Sequence, residues 1–299
     1  MECLSLELSG EGLAADRITR LVGILNGTTN FILGRMSAGE SYGNALVLAQ
    51  KQGFAEADPT LDVDGSDAAD KLSLLSYLAF DVFVAPKRIS RQGITALAPD
   101  VFADAERFGY RVKLLARSQR LGSDHLEMRV SPTLVPLYHP LSTVSDAQNG
   151  IALRSDALGD SFYQGEGAGS LPTASAVVAD VIEAVRSLRL GAIERVAYPR
   201  STRGGLTLAT TDTVSSPFYF RLTVDDTPGV LGQIAQLLAQ HDISLATVLQ
   251  HEQGGRGKKP VGIVMLTHPT SHGSIERALR KLNRLRCVRA PVQTLSIES

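Results

Sequence analysis

Carboxylates crowd one short stretch of this chain. Residues 54–65 (FAEADPTLDVDG) hold Glu56, Asp58, Asp62 and Asp64, and Asp67 follows. Asp67 and Lys71 stand four apart, so a helix would put them on one face. As an exposed pair that spacing is commonplace and weak. Its setting admits a second use. Crowded acids repel one another unless a cation or an amino group is bound. A lysine among them can serve as general acid or base. A metal site built from Asp and Glu is the rival reading; the lysine in its middle argues against it, and no metal ligand is assigned.

Three other stretches could carry chemistry. Asn26, Gly27, Thr28, Thr29 and Asn30 interrupt an apolar segment, and buried polar groups cost free energy unless paired. The plain alternative is a helix cap leading into a buried helix. The run Gly165-Glu166-Gly167-Ala168-Gly169 precedes a strong helical pattern. Backbone N–H groups at a helix start suit an anion, but G-x-G-x-G is not the dinucleotide fingerprint G-x-G-x-x-G, and a flexible turn is the alternative. Asp225-Asp226-Thr227-Pro228-Gly229 joins a strand to a helix, where a small zwitterion's carboxylate could dock; an ordinary turn is the alternative. The six histidines form no H-x-H or H-E-x-x-H pair, and no G-x-S-x-G occurs.

The elements that must position these residues can be outlined. Residues 18–36 read as a strand or tight turn running into a helix, and 42–51 as a helix ended by Gly53. The acid-rich stretch reads as a loop, followed by a helix over 66–80 capped by Asp64 or Ser66. Residues 89–98 and 108–117 read as strand or helix–strand pieces, 125–137 as a strand, 165–169 as a turn and 172–189 as a helix with Pro172 in its first turn. Residues 200–216 are rich in Ser, Thr and Gly, which suits a linker. Beyond them the pattern becomes β-α-β-β-α-β: strands at 218–224, 244–251, 261–267 and 288–297, helices at 228–241 and 271–285, and a basic hairpin loop at 254–260. That order within about 80 residues matches a ferredoxin-like domain.

Composition narrows the classes. The chain has 299 residues, enough for about two domains and a core that needs no staple. Its net charge of -1, with no basic block, argues against nucleic acid as a partner. No apolar run approaches the roughly 18 residues of a membrane helix, and the first residues do not resemble a signal peptide. Cys3 and Cys287 form no C-x-x-C pair, which fits a reducing cytoplasm.

Together these segments resemble the homoserine dehydrogenase family. The likeness lies in VGILNGTTNFILGRM (22–36), GFAEADPTLDVDGSDAADKL (53–72), LVPLYHPLSTV (134–144) and GEGAGSLPTASAVVADV (165–181), in that order, and runs from about residue 12 onward. The C-terminal segment resembles an ACT domain through DDTPGVLGQIAQLLAQHDIS (225–244). The resemblance implies interconversion of L-aspartate 4-semialdehyde and L-homoserine with NAD(P)H, in threonine and methionine biosynthesis. It implies Lys71 as proton donor to the aldehyde oxygen and Asp67 as the residue that binds substrate and holds that lysine. Glu56 and Asp62 would bind substrate, Glu56 gripping its amino group, and Gly27 and Thr28 would line the pocket. Gly53, Gly165, Gly167 and Gly169 would lie against the cofactor. Asp226 and Gly229 would bind a regulatory amino acid, by resemblance threonine. Phe54 stands where some members have Tyr, so one hydrogen bond differs there.

The family also begins with a nucleotide-binding domain carrying G-x-G-x-x-G, a second catalytic lysine and a sodium-binding loop. None of these is present, and residues 1–10 leave no room for a βαβ unit. The expectation is therefore an α+β chain: a mixed-sheet substrate and dimerisation domain over 1–205, a linker over 206–216 and an ACT domain over 217–299. Such a chain would be an incomplete homoserine dehydrogenase, inactive in isolation without a nucleotide-binding domain, unable to bind dinucleotide normally, and assembling as a homodimer or homotetramer. The alternative is a non-catalytic amino-acid sensor or dimerisation partner.

Overall fold

The computed structural model describes residues 13, 15–191, 206–250 and 260–299. The expected basic hairpin at 254–260 and the start of the linker lie almost wholly outside the described residues. The chain forms two compact units. One comprises Met1–Ala96, Lys113–Pro132 and Leu137–Leu208; the other comprises Leu97–Val112, Thr133–Pro136 and Ala209–Ser299. In space, then, two stretches of the N-terminal segment group with the C-terminal one.

The first unit is built on a sheet of β1 (Ile18–Ile24), β2 (Tyr110–Leu121), β3 (His125–Pro136), β4 (Gln148–Ser155) and β5 (Gly159–Glu166), in the order β3-β2-β1-β4-β5. β1 pairs antiparallel with both β2 and β4. Helices α1 (Gly27–Ser37), α2 (Tyr42–Lys51), α3 (Thr60–Val63) and α4 (Ser66–Phe80) follow β1. Ile32 and Leu33 of α1, Leu72 of α4 and Leu21 and Ile24 of β1 are wholly or almost wholly buried. That burial, more than helix propensity, is what holds α1 and α4 to the strands.

Two details of this unit differ from the sequence reading. The acid-rich stretch is not all loop, since four of its residues form α3. The cap of α4 is neither Asp64 nor Ser66 but Gly65, at φ 84°, where a Cβ would be strained. Asp64 still serves the turn: it accepts hydrogen bonds from the Ser66 backbone N–H (2.7 Å) and hydroxyl (2.8 Å).

The second unit contains α5 (Asp100–Arg107), which the sequence reading passed over, and the expected β-α-β-β-α-β order: β6 (Phe218–Val224), α6 (Val230–Ala239), β7 (Leu245–Gln250), β8 (Val261–Thr267), α7 (His272–Leu282) and β9 (Gln293–Ile297). Strand order is β7-β8-β6-β9, all antiparallel, and β9 also pairs in parallel with Thr133 and Leu134 of β3. Alternation along β6 sorts its faces. Phe218, Phe220, Leu222 and Val224 join Ile234 and Leu238 of α6 and Ile275 and Leu282 of α7 in the core. Tyr219 and Arg221 point the other way, to α5: the Tyr219 hydroxyl donates to Asp104 Oδ2 (2.6 Å), and Arg221 pairs with Asp104 and Asp100.

Candidate functional site

The site grows from the N-terminus of α1. Asn26 caps that helix from an extended conformation, its Oδ1 accepting from the Thr29 backbone N–H (2.8 Å) and hydroxyl (2.8 Å). Its Nδ2 donates to Asp62 Oδ1 (2.7 Å) and to Asp67 Oδ2 (2.9 Å). Asp62 lies on α3 and Asp67 in the first turn of α4. One turn along α4, the Lys71 ammonium lies 3.1 Å from the same Asp67 oxygen and donates to the Leu25 carbonyl (3.3 Å). The helical period thus makes the Asp67–Lys71 pair, and both side chains remain partly accessible.

Neighbouring residues brace this cluster. The Thr28 hydroxyl donates to the Phe54 carbonyl (2.5 Å), tying α1 to the end of α2, and the rings of Phe31 and Phe54 pack at 5.0 Å. Gly27 lies so near the Ala147 carbonyl that an added Cβ would be 2.3 Å from its oxygen. Burial pushes the Asp62 carboxyl up from 3.8, and the Asp67 charge adds to this, while the Asn26 and Thr28 hydrogen bonds and Lys71 oppose it.

The structure therefore brings Gly27, Thr28, Asp62, Asp67 and Lys71 together. Glu56 is exposed in the preceding loop; its backbone carbonyl accepts from Gln50, and its carboxylate forms no hydrogen bond among the described residues. Gly53 follows α2 at φ 78° with open space where a side chain would be. The glycine run is not one turn. Gly165 belongs to β5, paired with Asn149, while Gly167 packs against the Asn149 side chain and Gly169, at φ 120°, caps α8 (Ser170–Leu190). That helix exposes Leu171, Val178 and Val181.

Lys113 escaped sequence reasoning, and Asn26 and Asn30, noted there only as polar residues in an apolar stretch, gain supporting roles. Asn30 Nδ2 faces the carbonyls of Val144 (3.2 Å), Asp146 (3.0 Å) and Gln148 (3.2 Å). Buried Lys113 of β2 donates to Asn30 Oδ1 (2.9 Å) and the Val144 carbonyl (2.5 Å). Together they hold the 144–148 loop against α1. A lysine between Val112 and Leu114, within the apolar run VKLLA, was the available signal for Lys113.

In the second unit a cavity of about 340 Å³ is lined by Asp226, Thr227, Gly229, Leu231, Gln250 and Ile263, among others. Gly229 caps α6 at φ 93° without a side-chain cap, leaving N–H groups directed outward. Arg289 grips Asp225 through two contacts of 2.6 Å and holds its carboxyl below the usual range, which anchors the loop beside Asp226.

Two family models match. Residues 6–182 match homoserine dehydrogenase and residues 218–287 match the ACT domain. A homoserine dehydrogenase of Neisseria gonorrhoeae is 39% identical over 293 residues, covering 97% of this chain and 67% of that protein. One from Mycobacterium leprae is 38% identical over 296 residues, covering 96% and 66%. A solved homoserine dehydrogenase from Thiobacillus denitrificans superposes with TM-score 0.90 at 37% identity, covering 98% of this chain and 67% of that one. The site and the mixed sheet thus define a substrate-binding α+β unit followed by an ACT domain. The chain belongs to the homoserine dehydrogenase family. It spans about two thirds of the length of the curated relatives it matches. Among the described residues no helix is long and apolar enough to cross a membrane, and no cluster of potential metal ligands occurs.

Proposed function

We propose that the chain acts in the interconversion of L-homoserine and L-aspartate 4-semialdehyde. The observation that carries this reading is the Lys71 ammonium 3.1 Å from Asp67, with Asn26 joining that pair to Asp62 beside Gly27 and Thr28. Asp67 holds the Lys71 ammonium in place, so it can give a proton to an aldehyde oxygen or lend its hydrogen bond to the developing alkoxide. Asp62 and Glu56 supply carboxylates for the substrate's ammonium group. The Thr28 hydroxyl lies within reach of both the Phe54 carbonyl and Asp62, and its lone pairs can receive a substrate N–H or O–H.

NAD(P), when bound, supplies or accepts the hydride. A solved hyperthermophilic archaeal homoserine dehydrogenase mutant, TM-score 0.52 at 27% identity, is a complex with NADPH. The residues here fit one side of such a group: Gly53 and Gly165 leave open space where a Cβ would be, and α8 begins at Gly169 without a side-chain cap. These glycines would hold it through backbone N–H groups. Gly167 fits less directly, since its missing side chain makes room for Asn149.

The same reading includes a regulatory amino acid, threonine by family likeness, at Asp226 and Gly229, a homodimeric or homotetrameric assembly, and a reducing cytoplasmic setting suited to the free thiol of Cys287. The test is homoserine oxidation with NADP by a complete enzyme, this chain joined to a nucleotide-binding domain, and by its Lys71→Ala variant. The expected loss in kcat is at least about 100-fold. Near-normal turnover by the variant overturns the role of Lys71.

A further inference from the structure

We propose that Asn26 is a positioning residue for the Asp67–Lys71 pair. The proposal deepens the reading above and rests on it for the identity of the substrate. Three observations meet at one side chain. Asn26 Oδ1 caps α1, and the two Nδ2 contacts go to Asp62 and Asp67, on two different helices. The oxygen of Asp67 that receives Asn26 is the one that meets Lys71. Asn26 is itself buried, so these contacts are its surroundings.

The choice of residue is informative. Helix capping alone is met as well by Ser or Asp, and Asp adds a favourable charge at a helix N-terminus. Only an amide offers an acceptor for the cap and two N–H donors for two carboxylates. Aspartate would aim a third carboxylate at Asp62 and Asp67. A lysine or arginine would hold both acids but also neutralise them, in competition with Lys71 and with a substrate ammonium. A neutral donor fixes the two carboxylates and leaves their charge for those partners. Asn26 touches neither reacting atom in this scheme; it acts through Asp67.

Asn26→Asp and Asn26→Ser separate the two roles, since both retain a cap and neither can bridge. Three quantities are read in a parent made of this chain joined to a nucleotide-binding domain: thermal midpoint, kcat and KM for homoserine with NADP, and the titration of Lys71 by NMR of the ¹³C-methylated lysine. Asn26→Ser is expected to melt within about 3 °C of the parent and Asn26→Asp lower, because its carboxylate faces Asp62 and Asp67; both should lose about 30-fold or more in kcat and change KM far less. The Lys71 midpoint should rise in Asn26→Asp, which adds a charge, and fall in Asn26→Ser, which adds none but frees Asp67. Variants with parental kcat and an Asn26→Ser chain with parental Lys71 titration overturn the proposal. So does collapse of both thermal midpoints, which would make the residue structural. If the parent itself fails to oxidise homoserine, the functional reading falls, while the Lys71 titration in Asn26→Ser still decides the positioning role.

Discussion

Gly27 has no room for a side chain. A methyl group there must displace the Ala147 carbonyl or α1 itself, since contact at 2.3 Å is far inside van der Waals distance. Gly27→Ala is therefore expected to cost about 1–3 kcal/mol in urea unfolding and to weaken homoserine binding in calorimetry. Asp62 makes the opposite bargain. Its carboxyl is raised above 3.8, so the folded state holds that proton more tightly than the unfolded chain does. As pH rises from 3.8 through the folded midpoint, ionisation of this group subtracts stability, and the deficit persists at neutral pH. Asp62→Asn should accordingly match or exceed the parent in urea midpoint at neutral pH, the difference closing below pH 3.8, while homoserine affinity falls. A variant less stable at neutral pH than in acid, relative to the parent, would contradict the assignment. Much of this was legible in the sequence. Asp67 and Lys71 meet because four residues make about one helical turn. The partners of Asn26 were not legible, since Asp62 and Asp67 lie 36 and 41 residues away and no local period links them.

At the scale of elements, the N-terminal turn of α1 is a hub. Asn26 draws in α3 and α4; Asn30 and Lys113 draw in the 144–148 loop. The ammonium of Lys113 is worth its burial only because carbonyl and amide oxygens surround it. Lys113→Met leaves the Asn30 and Val144 oxygens without that donor, and a loss of about 1.5–3 kcal/mol in urea unfolding is expected. The strands of the second unit were readable to the residue at 218–224 and 261–267, where alternation and bounded apolar runs coincide. α5 was not readable. Its eight residues bury only Val101, Phe102, Asp104 and Ala105, and its charged partner surface, Tyr219 and Arg221, is more than a hundred residues distant. Tyr219 shows that distant coupling: burial and Asp104 push its hydroxyl far above the usual tyrosine range, so it remains a donor. The glycine run divided between strand and cap because Gly165 finds a ladder partner in Asn149, which no local signal announces.

Across the whole molecule, a run of uncovered apolar residues follows α8. Leu171, Val178, Val181, Val185 and Leu188 recur at intervals of three, four and seven, the stripe of a helix meant to be covered, yet Leu171 is 81% and Leu188 82% exposed. Val178→Lys together with Val185→Lys should lower fluorescence of the dye ANS while leaving the thermal midpoint unchanged. A drop in the midpoint would mean that this face is packed. The pairing of β9 carries a different consequence. Its neighbours are β6 on one side and Thr133–Leu134 on the other, and Ser296 meets Thr133 across 163 residues of chain. During synthesis, the 133–136 segment must wait, as an open strand edge, until residue 297 has left the ribosome. Nascent chains arrested short of that point should therefore be the ones that recruit chaperones and aggregate, whereas chains extended past it should not.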